Sequence, residues 1–120
     1  MKLLAFIFCL SLFVGETEKS MSWNLTEYEF GEIQQNIPVT AHYELTNNSD
    51  APLIINKVKV GCGCTSSNYK KDPISPGETT IIEATFNAKK IGNFNKSVSV
   101  FTNLEEEATV LRFKGTVIDS

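Results

Sequence analysis

Cys62-Gly63-Cys64-Thr65 is the stretch of this chain best equipped to do chemistry. Two thiols one residue apart can close into a small disulfide, exchange disulfides with another protein, or hold a soft metal ion. A disulfide requires Cα atoms about 4.4–6.8 Å apart. A fully extended pair at this spacing sits at or beyond the upper limit, so the backbone must bend. Gly63 lacks a Cβ and tolerates the unusual φ/ψ of such a bend. The ring is small and removes little unfolded-state entropy, so its use would be local, pinning a turn. A small, strained ring is also more easily reduced, which makes exchange with a partner the competing chemistry. Lys57, Lys59, Lys70 and Lys71 lie nearby in sequence. They would lower a thiol pKa if they folded towards it, and are otherwise the solvated faces of two strands. Two thiolates also suit Cu(I). A structural zinc ion usually wants four Cys or His ligands, and only His42 is available besides the thiols. Met21 is expected to lie loose near the mature terminus. No metal site, cofactor or catalytic residue is assigned.

The compartment bears on this choice. Lys2 precedes the apolar run Leu3–Val14, and the polar stretch Glu16-Thr17-Glu18-Lys19-Ser20 follows Gly15. The run is shorter than the roughly 20 residues that span a bilayer. It has the form of a secretory signal, so residues 1–20 are read as signal and short leader and 21–120 as one domain. Cys9 lies within the signal and would leave with it. Of three cysteines, Cys62 and Cys64 then remain, an even number in an exported chain, which favours their disulfide. The expected location is the periplasm, the outer-membrane surface or the extracellular space. A net charge of −3 provides no basic stripe for nucleic acid.

The elements that must position the cysteines are strands. Val39, Ala41, Tyr43 and Leu45 alternate with Thr40, His42, Glu44 and Thr46, the period of a half-buried strand. Ile82, Ala84 and Phe86 repeat the pattern, as do Thr109, Leu111, Phe113 and Val117. Asn47-Asn48-Ser49-Asp50 and Ser75-Pro76-Gly77-Glu78 are turns, the second with Pro presetting φ and Gly free to take positive φ. Glu105-Glu106-Glu107 reads as a solvated loop. The sequons at Asn24, Asn47 and Asn95 are short patterns without an assignment. Strands are expected near Trp23–Phe30, Pro38–Asn47, Leu53–Val60, Ser67–Lys70, Thr79–Asn87, Asn93–Thr102 and Ala108–Ile118. About seven short strands between regular turns make an all-β, immunoglobulin-like β-sandwich, with a barrel as the alternative.

The order of motifs adds to this. Tyr28-Glu29-Phe30-Gly31-Glu32-Ile33 opens the domain, followed by Leu45-Thr46-Asn47-Asn48 and Ala51-Pro52-Leu53-Ile54-Ile55. Gly61-Cys62-Gly63-Cys64-Thr65, Pro76-Gly77-Glu78, Gly92-Asn93-Phe94, Phe101-Thr102-Asn103 and Phe113-Lys114-Gly115-Thr116-Val117 complete the series. From about Trp23 to Val117 the chain resembles domain-of-unknown-function family fifteen seventy-three, an exported bacterial family. The resemblance implies a sandwich similar to Hydin-type and major-sperm-protein-like domains, with the Cys-Gly-Cys-Thr motif as a typical feature. It implies no activity. The expected role is therefore structural or protein-binding in the cell envelope, through strand addition at an exposed edge. The edges expected to serve are the first strand, around Leu25–Phe30, and the strand beside the cysteines. A thiol–disulfide or soft-metal protein using Cys62 and Cys64 is the alternative. No small-molecule substrate is inferred.

Overall fold

The computed structural model describes residues 19–119. The expected signal and leader lies almost wholly outside them, and so does Cys9. The described residues contain no helix. Their strands are β1 (Met21–Trp23), β2 (Glu27–Gln34), β3 (Val39–Asn47), β4 (Ile55–Val60), β5 (Thr65–Asn68), β6 (Thr79–Phe86), β7 (Gly92–Thr102) and β8 (Thr109–Ile118). Two four-stranded sheets result, ordered β1-β3-β6-β5 and β2-β8-β7-β4. All pairings are antiparallel except β2 beside β8. The architecture is the expected immunoglobulin-like sandwich.

The expected first strand divides in two. β1 pairs with β3 in one sheet, and β2 pairs with β8 in the other. Asn24 makes the change of sheet possible. Its Oδ1 accepts the N–H groups of Leu25 and Glu44, both at 2.8 Å, and its own N–H donates to the Glu44 carbonyl at 3.1 Å. Two residues on, the Thr26 carbonyl accepts from Arg112 N–H of β8 at 2.8 Å. The side chain thus satisfies backbone groups that the departing strand would otherwise leave unpaired. β5 begins two residues before its expected start, next to the cysteines. Leu53 makes only an isolated bridge to Ile74 ahead of β4.

The alternation read from sequence sets the core. Ala41, Tyr43 and Leu45 of β3 and Ile82, Ala84 and Phe86 of β6 are buried, facing Phe94, Val98, Val100, Leu111, Phe113 and Val117 of the other sheet. Met21 is buried too, with the Thr102 hydroxyl donating to its sulfur at 3.7 Å, so the expectation of a loose Met21 is corrected. Burying a large aliphatic or aromatic side chain contributes about 1.5–3 kcal/mol, so these inner faces hold the sheets together.

On β2 the apolar phase slips, from Tyr28 and Phe30 to Ile33. A bulge between Glu29 and Gly31 absorbs the slip, with Gly31 at φ 71°. Bulges insert one residue and so reset which face the following side chains meet. Gly31 stands opposite Gly115 of β8. A Cβ on Gly115 would lie 2.6 Å from the Gly31 carbonyl oxygen and 2.9 Å from Cζ of Phe94. The Phe94 ring stacks on Phe86 of the opposite sheet, with centroids 4.3 Å apart.

A second bond between the sheets is polar. The hydroxyl of fully buried Tyr43 donates to the Arg112 carbonyl of β8 at 2.7 Å. Burial, with a further contribution from the Tyr28 phenol, holds Tyr43 protonated well beyond the ordinary tyrosine range.

The end of the sandwich distant from the cysteines is tied by asparagines. Asn47, fully buried, donates from Nδ2 to the carbonyls of Ala51 at 2.8 Å and Ile74 at 2.9 Å, and its Oδ1 accepts from Ser49. Asn103 accepts from Ile54 N–H at 2.7 Å and donates to the Pro52 carbonyl at 3.0 Å.

Two stability measurements follow. Gly115→Ala should lower the unfolding free energy in urea by about 1–3 kcal/mol, the cost of overpacking where the nearest obstacle is backbone. Tyr43→Phe should cost about 1–2 kcal/mol, the value of a buried hydrogen bond. The raised Tyr43 pKa also fixes a pH dependence. Its contribution is whole below the unfolded tyrosine pKa of about 10 and is lost above it, because the unfolded phenol ionises while the folded one does not. Melting temperature measured from pH 9 upward should therefore fall more steeply for the wild type than for Tyr43→Phe.

Candidate functional site

Cys62, Gly63 and Cys64 connect β4 to β5. β4 is the edge of one sheet and β5 the edge of the other, so these residues carry the chain across the side of the sandwich. The two cysteines stand at disulfide distance, with Cα atoms 5.3 Å apart. That lies within the range a disulfide accepts. The Thr65 N–H donates to the Cys62 carbonyl at 3.3 Å and closes a four-residue turn. The Asn87 N–H, at the end of β6, donates to the Cys64 carbonyl at 3.0 Å. The hydroxyl of buried Thr65 lies 3.8 Å from the Cys62 sulfur and 3.7 Å from the Cys64 sulfur. Both cysteines are partly exposed.

Gly63 differs from expectation. It is outside the left-handed region, and a Cβ built on it meets nothing within 4 Å. The bend comes from the Cys62–Thr65 turn, and turns of this length exist whose central positions take residues other than glycine.

The four lysines that neighbour the thiols in sequence are exposed, in keeping with the solvated faces read for them. Lys57 extends over the Phe101 ring, with Nζ 5.0 Å from its centroid, and Lys71 covers Tyr69 at the same distance. Lys59 stands opposite Ser99, and Lys70 is exposed. The cations that do approach are Lys89 and Lys90, from the β6–β7 connection, and Lys96 of β7. With Cys64, Phe86 and Phe94 they line a cleft of about 310 Å³. Lys96 also lines a hollow of about 200 Å³ on the Cys62 side. It shares the inner parity of Phe94, Val98 and Val100, and pairs in register with buried Phe113. β4 ends where Val60 meets Val98, so nothing of β4 covers Lys96. Lys96 is half-buried on that inner parity, a placement that suits a side chain with an apolar stem and a charged tip. The sequence carries a signal for this, a lysine on the apolar parity of a strand.

Other residues singled out in the sequence do not join the cysteines. His42 is on the outer face of its sheet, its Nε2 3.4 Å from Oε2 of Glu83. Glu105, Glu106 and Glu107 are exposed between β7 and β8. Among the described residues no three His, Cys, Asp or Glu side chains converge as metal ligands.

The sandwich also presents edges. Among the described residues β1 and β5 end one sheet, and β2 and β4 the other. β2 is the longest, at eight residues. Its inner-parity residues Tyr28, Phe30 and Ile33 are only partly buried, and Glu27, Glu29 and Glu32 are exposed. Glu29 pairs with Lys114 at 3.3 Å.

Solved structures with this architecture are distant in sequence. A protein of unknown function from Porphyromonas gingivalis W83 superposes with a TM-score of 0.68 at 15% identity, over 80% of this chain and 46% of that one. The secreted serine protease VesC of Vibrio cholerae gives a TM-score of 0.63 at 14% identity, over 84% of this chain and 24% of that one. The chain thus spans about half of the first and a quarter of the second. The ASH / PapD-like domain 7 of human CEP192 gives 0.65 at 12% identity, over 94% of this chain and 98% of that one. At these identities the likeness is one of fold. No curated protein matches the chain. The family model described as "Protein of unknown function (DUF1573)" matches residues 21–117, nearly the whole sandwich, and the chain belongs to that family.

Proposed function

We propose that this protein is a non-enzymatic, exported module of the cell envelope that binds another protein by accepting a strand at an open sheet edge. The observation that carries this reading is the β2 edge. Its main-chain groups on the side away from β8 have no strand beside them among the described residues. Its aromatic side chains stay half-buried because the sheets are not closed there. A strand laid against β2 would gain main-chain hydrogen bonds and cover that apolar surface. β4 is the second edge, although Lys57 and Lys59 on it resemble the charges that guard edges against unwanted pairing. The apolar run Leu3–Val14 supports export. The full chain used as bait in envelope extract should recover a protein partner, and the bound partner should slow amide hydrogen exchange in residues 27–34 or 55–60. No partner, or protection confined to the sheet faces, contradicts the reading.

One observation favours a second reading. The Cys62–Cys64 pair is partly exposed and has lysines in the adjoining cleft. A cation near a sulfur favours the thiolate, which is the species that exchanges. Thiol labelling across glutathione buffers separates the cases. Labelling only after strong reduction marks a structural clamp. Labelling at mild potentials marks an exchange site, and mass gained from Cu(I) by the reduced chain marks soft-metal binding, which an intact disulfide precludes.

A further inference from the structure

We propose that the cleft beside Cys64 is a binding site for a small organic carboxylate with an apolar body. Three features converge there. The first is charge. The chain carries a net charge of −3, yet Lys89, Lys90 and Lys96 line this one cleft with no acidic side chain among its lining residues. The ion pairs among the described residues, His42 with Glu83 and Lys114 with Glu29, involve none of these lysines. The second is the wall. Phe86 and Phe94 form it together with Ile91, whose side chain is half exposed at the rim. Such a wall takes up an alkyl or aryl group, and polar groups at the mouth orient it. The third is Lys96. A lysine on the inner parity of a sandwich strand gives up part of its hydration, and a carboxylate in the cleft would return a charge-assisted partner.

Size selects the ligand further. A volume of about 310 Å³ is at the small end of ligand sites, which suits one ring or a short chain bearing a carboxylate and excludes a folded partner. Asn87 and Asn93 also line the cleft and add side-chain amides to its rim. The Asn87 side chain already accepts from Lys89 N–H at 3.1 Å, which holds the lysine-bearing turn in place. This site is independent of strand addition, because neither β2 nor the β4 strand lines the cleft.

The test is an amide NMR titration of the full chain, disulfide intact, with 3-phenylpropionate, its amide and 3-phenylpropylamine. Shifts should centre on Cys64 and residues 86–96. The acid should bind about tenfold or more tightly than the amide, the preference expected of a charged hydrogen bond, and the amine more weakly still. Lys96→Gln should abolish the preference for the acid, and a Lys89→Gln/Lys90→Gln double variant should reduce it without touching the inner face. Equal affinity for acid and amide, or no shift in this region, overturns the proposal. If Lys96 serves only to keep the open side of β7 from pairing, Lys96→Gln will leave the acid preference intact, which also overturns it.

Discussion

The stack of Phe86 on Phe94 is the contact on which the cysteine-bearing end of the molecule depends. Phe86 closes β6 in one sheet, and Phe94 lies near the start of β7 in the other. Their rings join the sheets where edge strands and turns would otherwise leave the sandwich open. The position of Phe94 then dictates the backbone around it. β8 must carry a glycine at 115, because any Cβ there would meet the ring and the Gly31 carbonyl. β2 must bulge at Gly31 to lie that close, and the bulge returns Ile33 to the core side. The same two rings line the cleft beside Cys64. Packing and candidate chemistry share these side chains, so the site rests on a closely packed part of the core.

The opposite end is organised by hydrogen bonds. Asn47 and Asn103 satisfy the main-chain groups of the connection from Ala51 to Ile54, which enters β4 without a full ladder. Buried main-chain groups need partners, and an asparagine supplies donor and acceptor from one side chain. Asn24 does the same where the chain leaves one sheet for the other.

The edges and the cleft are distinct resources of the fold. An edge recognises a partner's backbone and is indifferent to most of its sequence. A cleft with apolar walls and basic rim recognises a particular chemical group. The Cys62–Cys64 turn lies between them, fixing the end of β4 to the start of β5 and bounding the cleft. Its position explains how one short motif can matter structurally and still stand in a surface open to ligands or thiols.

Much of this was legible in the sequence where the information is local. Alternation identified the buried faces of β3, β6 and β8, because successive strand residues must point to opposite sides. The turns followed from their Asn, Pro and Gly residues, and the sandwich class from the count of strands between them. The division of the first strand was not legible, since it depends on Asn24 meeting the Glu44 backbone, a contact across twenty residues. Nor was the company of the cysteines. Lys57 and Lys59 are close in sequence but sit on the outer parity of β4, turned away from the core. Lys96 is more than thirty residues from Cys64, and only the packing of β7 beneath the β4–β5 crossover brings it near. The sequence by itself therefore determined which faces of the alternating strands β3, β6 and β8 turn inward and what chemistry two neighbouring thiols can do. The tertiary structure decided which charges surround them, because that depends on how strands distant in the chain stack across the sandwich.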